Sequence, residues 1–194
     1  MSEASKSELS PGEVLPPLAR AAIASRFGLW FDHPDDSAFL YEHGATFVTL
    51  TQSGRLRGCI GSLQAHRPLL DDVKANAIAA AFRDPRFKPL DASEYNEIRI
   101  EVSLLSRLTA MTVRDEEDAL AQLQPGVDGI VLQCGEKRGT FLPQVWESLP
   151  EPRRFVGELK RKAGLPADFW SDEIRFYRYH VDKWSEEQEA EGRG

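Results

Sequence analysis

Arg57 and Cys59, separated only by Gly58 in the run Leu56-Arg57-Gly58-Cys59-Ile60-Gly61 (LRGCIG), are the residues whose types and spacing best suit chemistry. The thiolate is the nucleophilic and redox-active form of cysteine, and a neighbouring guanidinium lowers the thiol pKa. Strand side chains alternate between faces, so Arg57, Cys59 and Gly61 share one face and Leu56, Gly58 and Ile60 the other. With Leu56 and Ile60 turned to the core, Arg57 and Cys59 point together. Cys59 then reads as a catalytic nucleophile or redox thiol, and Arg57 as a substrate-binding group that holds a carboxylate or phosphate through two parallel hydrogen bonds. The opposing reading is structural. Free cysteine often serves as a small core residue, and Arg57 can pair internally with Glu101 or Asp84. A bulge at either glycine breaks the parity, and glycine in a strand marks a bulge or a close approach of another group.

Arg86 and Glu101 complete the set of candidate substrate-binding residues. Arg86 lies in the turn Asp84-Pro85-Arg86-Phe87, where it either covers the space beside Cys59 or stands as a surface charge. Glu101 occupies the polar face of a strand with Arg99 and Ser103, where a carboxylate can act as a base or be paired and solvated. His33, His43, His66 and His180 lack metal-ligand spacing, and no metal is expected. Gly135–Gly139 lacks the Gly-Lys-Ser/Thr ending of a phosphate loop, so no cofactor is expected. Cys134 and Trp146 read as structural, and Lys160, Arg161 and Lys162 as a solvated cationic helix end.

The elements that must position these residues follow from periodicity and punctuation. Residues 1–12 read as a polar leader and 185–194 as a charged disordered tail, with a single domain between them. A helix begins near Pro16 and Pro17 and ends before Gly28. Thr46–Thr51 and Leu56–Leu63 form a hairpin around Ser53-Gly54. A helix from Pro68 to Phe82 has a largely alanine inner face suited to packing on a sheet, and Asp84-Pro85 stops it. Ile98, Ile100, Val102 and Leu104 alternate with polar residues as a half-buried strand. Asp115 caps a short helix. Gly129–Cys134 is a strand with a brief return at Thr140–Leu142, and Pro152–Ala163 is a basic amphipathic helix capped at Gly164. One last strand spans Ile174–Val181. Helices and strands mix without regular βαβ spacing, which predicts an α+β fold with a largely antiparallel sheet.

Composition narrows the function classes. The 194 residues carry a net charge of −7, which argues against general nucleic-acid binding. No apolar run is long enough to span a bilayer, and no signal-peptide pattern opens the chain. Two widely separated cysteines suit a reducing, cytoplasmic setting.

The ordered motifs together resemble the AMMECR1 domain family. They are Phe47–Leu50, the LRGCIG run, Asp84–Phe87 with Pro89-Leu90, Val102–Leu105, Gly126 with Asp128–Ile130, Thr140–Trp146 and Lys162–Gly164. The resemblance implies an α+β fold of one main subdomain and a smaller lobe, with a cleft near the hexapeptide. It implies no established reaction. It also implies an accessory or binding role in a small multi-protein modification pathway, with a Memo-like protein and a radical SAM enzyme as partners. A cysteine-dependent enzyme acting on a small anionic substrate through Cys59 and Arg57 is the alternative.

Overall fold

The computed structural model describes residues 9–186. Residues 1–8 of the expected leader over 1–12 and 187–194 of the expected tail over 185–194 therefore lie outside the described residues, while Pro11 and Gly12 of that leader belong to a helix. The chain divides into two compact units, one formed by residues up to Leu104 together with those from Asp182 onward, the other by Leu105–Val181. Antiparallel pairing runs through both sheets, and the fold is α+β.

The first unit opens with α1 (Pro11–Arg26). Its start precedes the expected one by a full turn. The Ser10 amide donates to Glu13 Oε2 at 2.9 Å, closing a capping box. Gly12 lies beneath Trp184, so close that a Cβ there would stand 2.6 Å from the indole Cδ1. Pro16 and Pro17 thus sit inside the helix, where each withholds an amide donor. Packing of Val14, Leu15 and Leu18 into the core outweighs that loss.

Next come β1 (Ala45–Gln52) and β2 (Arg55–Gly61), joined by Ser53 (φ 51°) and Gly54 (φ 73°). Two positive φ angles in succession give the turn whose twist matches a hairpin. Helix α2 (Leu69–Phe82) follows, and β3 (Ile98–Leu105) comes after a loop. With β8 (Val181–Ser185), the first sheet has the order β2-β1-β3-β8, leaving β2 at an edge. Ser185, expected in the tail, is the last residue of β8. The core joins Leu18 and Ile23 of α1, Val73, Ala77 and Ala80 of α2, Val48 and Leu50 of β1, and Ile98, Ile100 and Val102 of β3.

The second unit contains β4 (Thr109–Ala110), α3 (Glu116–Gln122), β5 (Gly129–Cys134), β6 (Lys137–Phe141), α4 (Pro152–Lys162) and β7 (Arg175–Tyr179), with sheet order β4-β7-β5-β6. Asp115 caps α3 by accepting from the Asp118 amide at 2.8 Å. Trp146 stacks on Phe155 with ring centroids 3.7 Å apart and donates Nε1–H to Asp128 O at 2.8 Å. Lys160 departs from the expected solvated helix end. Its side chain is fully buried, with Nζ donating to Glu116 and to Ala167 O and lying over Trp170.

The single final strand expected at Ile174–Val181 is two strands. β7 pairs with β5 in the second sheet, and β8 joins β3 in the first. His180 separates them, its amide donating to Ser106 Oγ. Alternation alone carries no mark of where a strand leaves one sheet for another.

Candidate functional site

Gly58 is set by the helix beneath it. A Cβ at this position would lie 2.1 Å from Ala80 O, so only glycine lets β2 meet the alanine face of α2. Gly61 is fixed from the other face, where the Phe47 ring covers it so closely that a Cβ there would lie 2.2 Å from Phe47 Cγ. An aromatic laid over a glycine on the adjacent strand is a recognised way of steadying such a position.

The hairpin register then relocates the chemistry. Leu50 lies opposite Gly58, but Thr51 lies opposite Leu56, so Arg57 is the extra residue of a β-bulge. The bulge inverts the expected parity. Leu56 follows Thr51 to the face shared by Thr49 and Cys59, and 44% of its surface is exposed. Ile60 keeps its expected core contact. Arg57 and Cys59 therefore do not point together as neighbours on a regular strand.

Arg57 reaches into the loop between α2 and β3. Nε and Nη2 each donate to the Glu94 carboxylate at 2.9 Å, Nη1 donates to Lys88 O at 3.0 Å, and Nη2 also reaches Pro89 O at 3.5 Å. Glu94 is itself fixed, since its Oε2 accepts from the Asp91 amide at 2.8 Å in a capping box. The Arg57 fork, aided by that amide, holds the Glu94 carboxyl below its ordinary pKa. Neither Glu101 nor Asp84 is the partner of Arg57. The pattern Asp91-Ala92-Ser93-Glu94 is a capping-box signature that sequence reading could have used to find this carboxylate.

Asp84 and Arg86 act on the backbone of Cys59. The Cys59 amide donates to Asp84 Oδ2 at 2.9 Å, and Arg86 Nη2 donates to Cys59 O at 3.2 Å. The two side chains pair with each other, Nη2 to Oδ2 at 2.7 Å and Nε to Oδ1 at 3.0 Å. Together they offer the edge of β2 one acceptor and one donor, as a neighbouring strand would. An uncovered edge is a template for unwanted pairing, and this clamp blunts it at its centre. Hydrogen bonds from Arg86, with further help from the Cys59 and Arg86 amides, hold the buried Asp84 carboxyl well below the usual carboxylate range.

The Cys59 side chain is half-buried, and its Sγ lies 3.3 Å from Thr49 Oγ1. Among the described residues no histidine or carboxylate hydrogen-bonds this sulfur. Glu101 is elsewhere on the sheet, on β3, where its carboxylate accepts from Ser185 Oγ at 3.2 Å and stands 4.0 Å from Lys183 Nζ, both on β8. The structure thus gathers Arg57, Cys59 and Arg86 around one strand and leaves Glu101 outside.

A second pin lies at the end of β2. The fully buried Asp72 of α2 accepts through Oδ2 from Thr46 N and Oγ1, both at 2.8 Å, and from Asn76 Nδ2 at 3.0 Å. Its Oδ1 accepts from Ser62 Oγ at 2.7 Å and Arg67 Nε at 2.8 Å. Five donors satisfy this carboxylate, and it lies in the first helical turn, where negative charge is favoured. No sequence signal unites these residues, because the hairpin brings them together. Among the described residues no three His, Cys, Asp or Glu side chains form a group that could hold a metal ion. No helix among them is long and apolar enough to cross a membrane.

Comparison with known proteins places the chain in a family. The pattern of the AMMECR1 family matches residues 17–184. The chain is 36% identical over 185 residues to a protein of Methanothermobacter thermautotrophicus, covering 91% of this chain and 94% of that one. It is 35% identical over 198 residues to Protein MK0488 of Methanopyrus kandleri, covering 96% and 93%. The crystal structure of the uncharacterized protein PH0010 from Pyrococcus horikoshii is similar, with a TM-score of 0.71, 31% identity and 91% of each chain covered. This chain belongs to the AMMECR1 family.

Proposed function

We propose that the protein is a binding component of a small multi-protein modification pathway, and that it docks a partner on the open face of the β1–β2 hairpin around Leu56, Thr49 and Cys59. The observation that supports this reading best is the engagement of both guanidinium groups at the hexapeptide. Arg57 is spent on Glu94 and two carbonyls, and Arg86 on Asp84 and the Cys59 carbonyl. Binding an anionic substrate through either would require breaking a charge-assisted pair, which is stronger than a neutral hydrogen bond. These groups brace the strand, and the strand presents an exposed leucine beside a half-buried thiol. By family, the partners proposed are a Memo-like protein and a radical SAM enzyme.

Titration calorimetry of the purified chain against a purified Memo-like protein tests the reading. Leu56→Asp is expected to weaken capture by at least about tenfold, as for an interface residue whose truncation is felt strongly. Cys59→Ser is expected to leave capture and pathway output in cells nearly unchanged. Full capture by Leu56→Asp would overturn the docking face, and loss of pathway output in Cys59→Ser with capture intact would overturn the reading in favour of cysteine chemistry.

A further inference from the structure

A second surface of the first unit is built unlike the rest of it. Phe27, the residue after α1, packs partly buried, edge-on to Phe82 at 5.5 Å and Tyr95 at 6.1 Å. Gly28, at φ 70°, then turns the chain outward, and the Leu29 amide closes on Ala24 O at 3.0 Å. The next three apolar side chains consequently face water. Leu29 is 49% exposed, Trp30 84% and Phe31 36%, and Tyr41 at the far end of the loop is 61% exposed. Tryptophan is highly buried on average, so an indole almost wholly in solvent marks a surface made for contact. The loop has a defined shape, since Tyr41 Oη donates to Asp35 O at 3.1 Å across it.

The charge around these rings selects the occupant. The Asp32 and Asp35 carboxylates are exposed, with no ion pair to either among the described residues. We infer that the loop of residues 28–41 docks a basic segment of a partner protein, with Trp30 as the anchor. Lysine and arginine side chains complement these features, pairing with Asp32 and Asp35 and stacking over Trp30 and Tyr41. An anionic membrane or a nucleic acid meets the same carboxylates and the net charge of −7 as repulsion. A two-fold dimer through this loop would bring the carboxylates of both copies together. The surface is separate from the β1–β2 face, so either assignment can fail alone.

The test uses the full chain, isotopically labelled, titrated with a synthetic peptide alternating arginine and leucine and with a counterpart carrying glutamate for arginine. Amide shifts confined to residues 28–42 are expected with the arginine peptide only. Affinity should fall about tenfold or more in Trp30→Ala, as for an interface anchor. It should also fall in the double variant Asp32→Asn/Asp35→Asn, and with rising salt. Because Trp30 is so exposed, Trp30→Ala should keep the wild-type melting temperature. No shift with the arginine peptide, shifts centred elsewhere, or equal shifts with the glutamate peptide would overturn the inference. So would Trp30-dependent binding to phosphatidylserine vesicles, which assigns a membrane, or a Trp30-dependent dimer in sedimentation equilibrium, which assigns a second copy.

Discussion

Strands β2 and β6 are both edge strands, and each carries a glycine where a helix comes close, yet their edges are held by different means. At β2, Gly58 admits the backbone of α2, and the edge is clamped by Asp84 and Arg86, with Arg57 and Glu94 bracing the bulge. At β6, Gly139 admits Leu159 O and Ala163 N of α4 at 3.1 Å, and the Thr140 carbonyl is met by Lys162 Nζ at 2.9 Å. One edge is held by ionised pairs of fixed geometry, the other by packing and two exposed lysines, Lys162 and Lys137, the latter donating to Gly164 O at 2.9 Å. The sheet face beside the ionised edge is the one proposed to dock a partner. The ionised edge should also be the more sensitive to single substitutions and to acid.

The largest expected difference is steric. Gly58→Ala should destabilise by about 3 kcal/mol or more, the upper end for overpacking, because the obstacle is backbone. Gly139→Ala, with 3.1 Å available, should cost about 1 kcal/mol. Urea unfolding followed by tryptophan fluorescence measures both, and equal costs would erase the distinction.

Next comes the clamp. Asp84→Asn keeps the shape and removes the charge, and should cost about 2 kcal/mol, as for loss of charged hydrogen bonds at a buried site. Lys162→Met should change stability by no more than about 0.5 kcal/mol, as for a surface substitution.

The smallest effect is the pH dependence. Asp84 and Glu94 both have lowered folded-state pKa values. Their stabilisation is therefore complete above the unfolded values of about 3.9 and 4.3, and is lost as pH falls through the folded ones. The melting temperature should begin to drop at about pH 5 and go on falling below about pH 3, because the folded Asp84 carboxyl holds its charge there, less steeply in Asp84→Asn, and with the wild-type slope in Lys162→Met.

Much of this was legible in the sequence, and the failures have physical causes. The hairpin turn, α2 and β3 announced themselves through Ser53-Gly54, the alanine face and clean alternation, all local signals. The glycines of LRGCIG were legible as points of close approach. The direction of Arg57 was not, because the bulge that redirects it is a property of the pair with β1. Asp84 and Arg86 were visible as a motif, but their action on the Cys59 backbone depends on a strand edge that only the folded sheet creates. The burial of Lys160 and the division of the last strand at His180 likewise belong to packing between distant segments.

The central claim is that Asp84 and Arg86 hold the backbone of Cys59 rather than serve a reaction at its sulfur. Amide hydrogen exchange at Cys59, in the wild type and in Asp84→Asn, tests it most directly. The account predicts slow exchange in the wild type and an acceleration at Cys59 in the variant about tenfold beyond that of the core-strand amides of Val48 and Leu50, which report only the loss of global stability. A Cys59 acceleration in Asp84→Asn no greater than that of Val48 and Leu50 would contradict it.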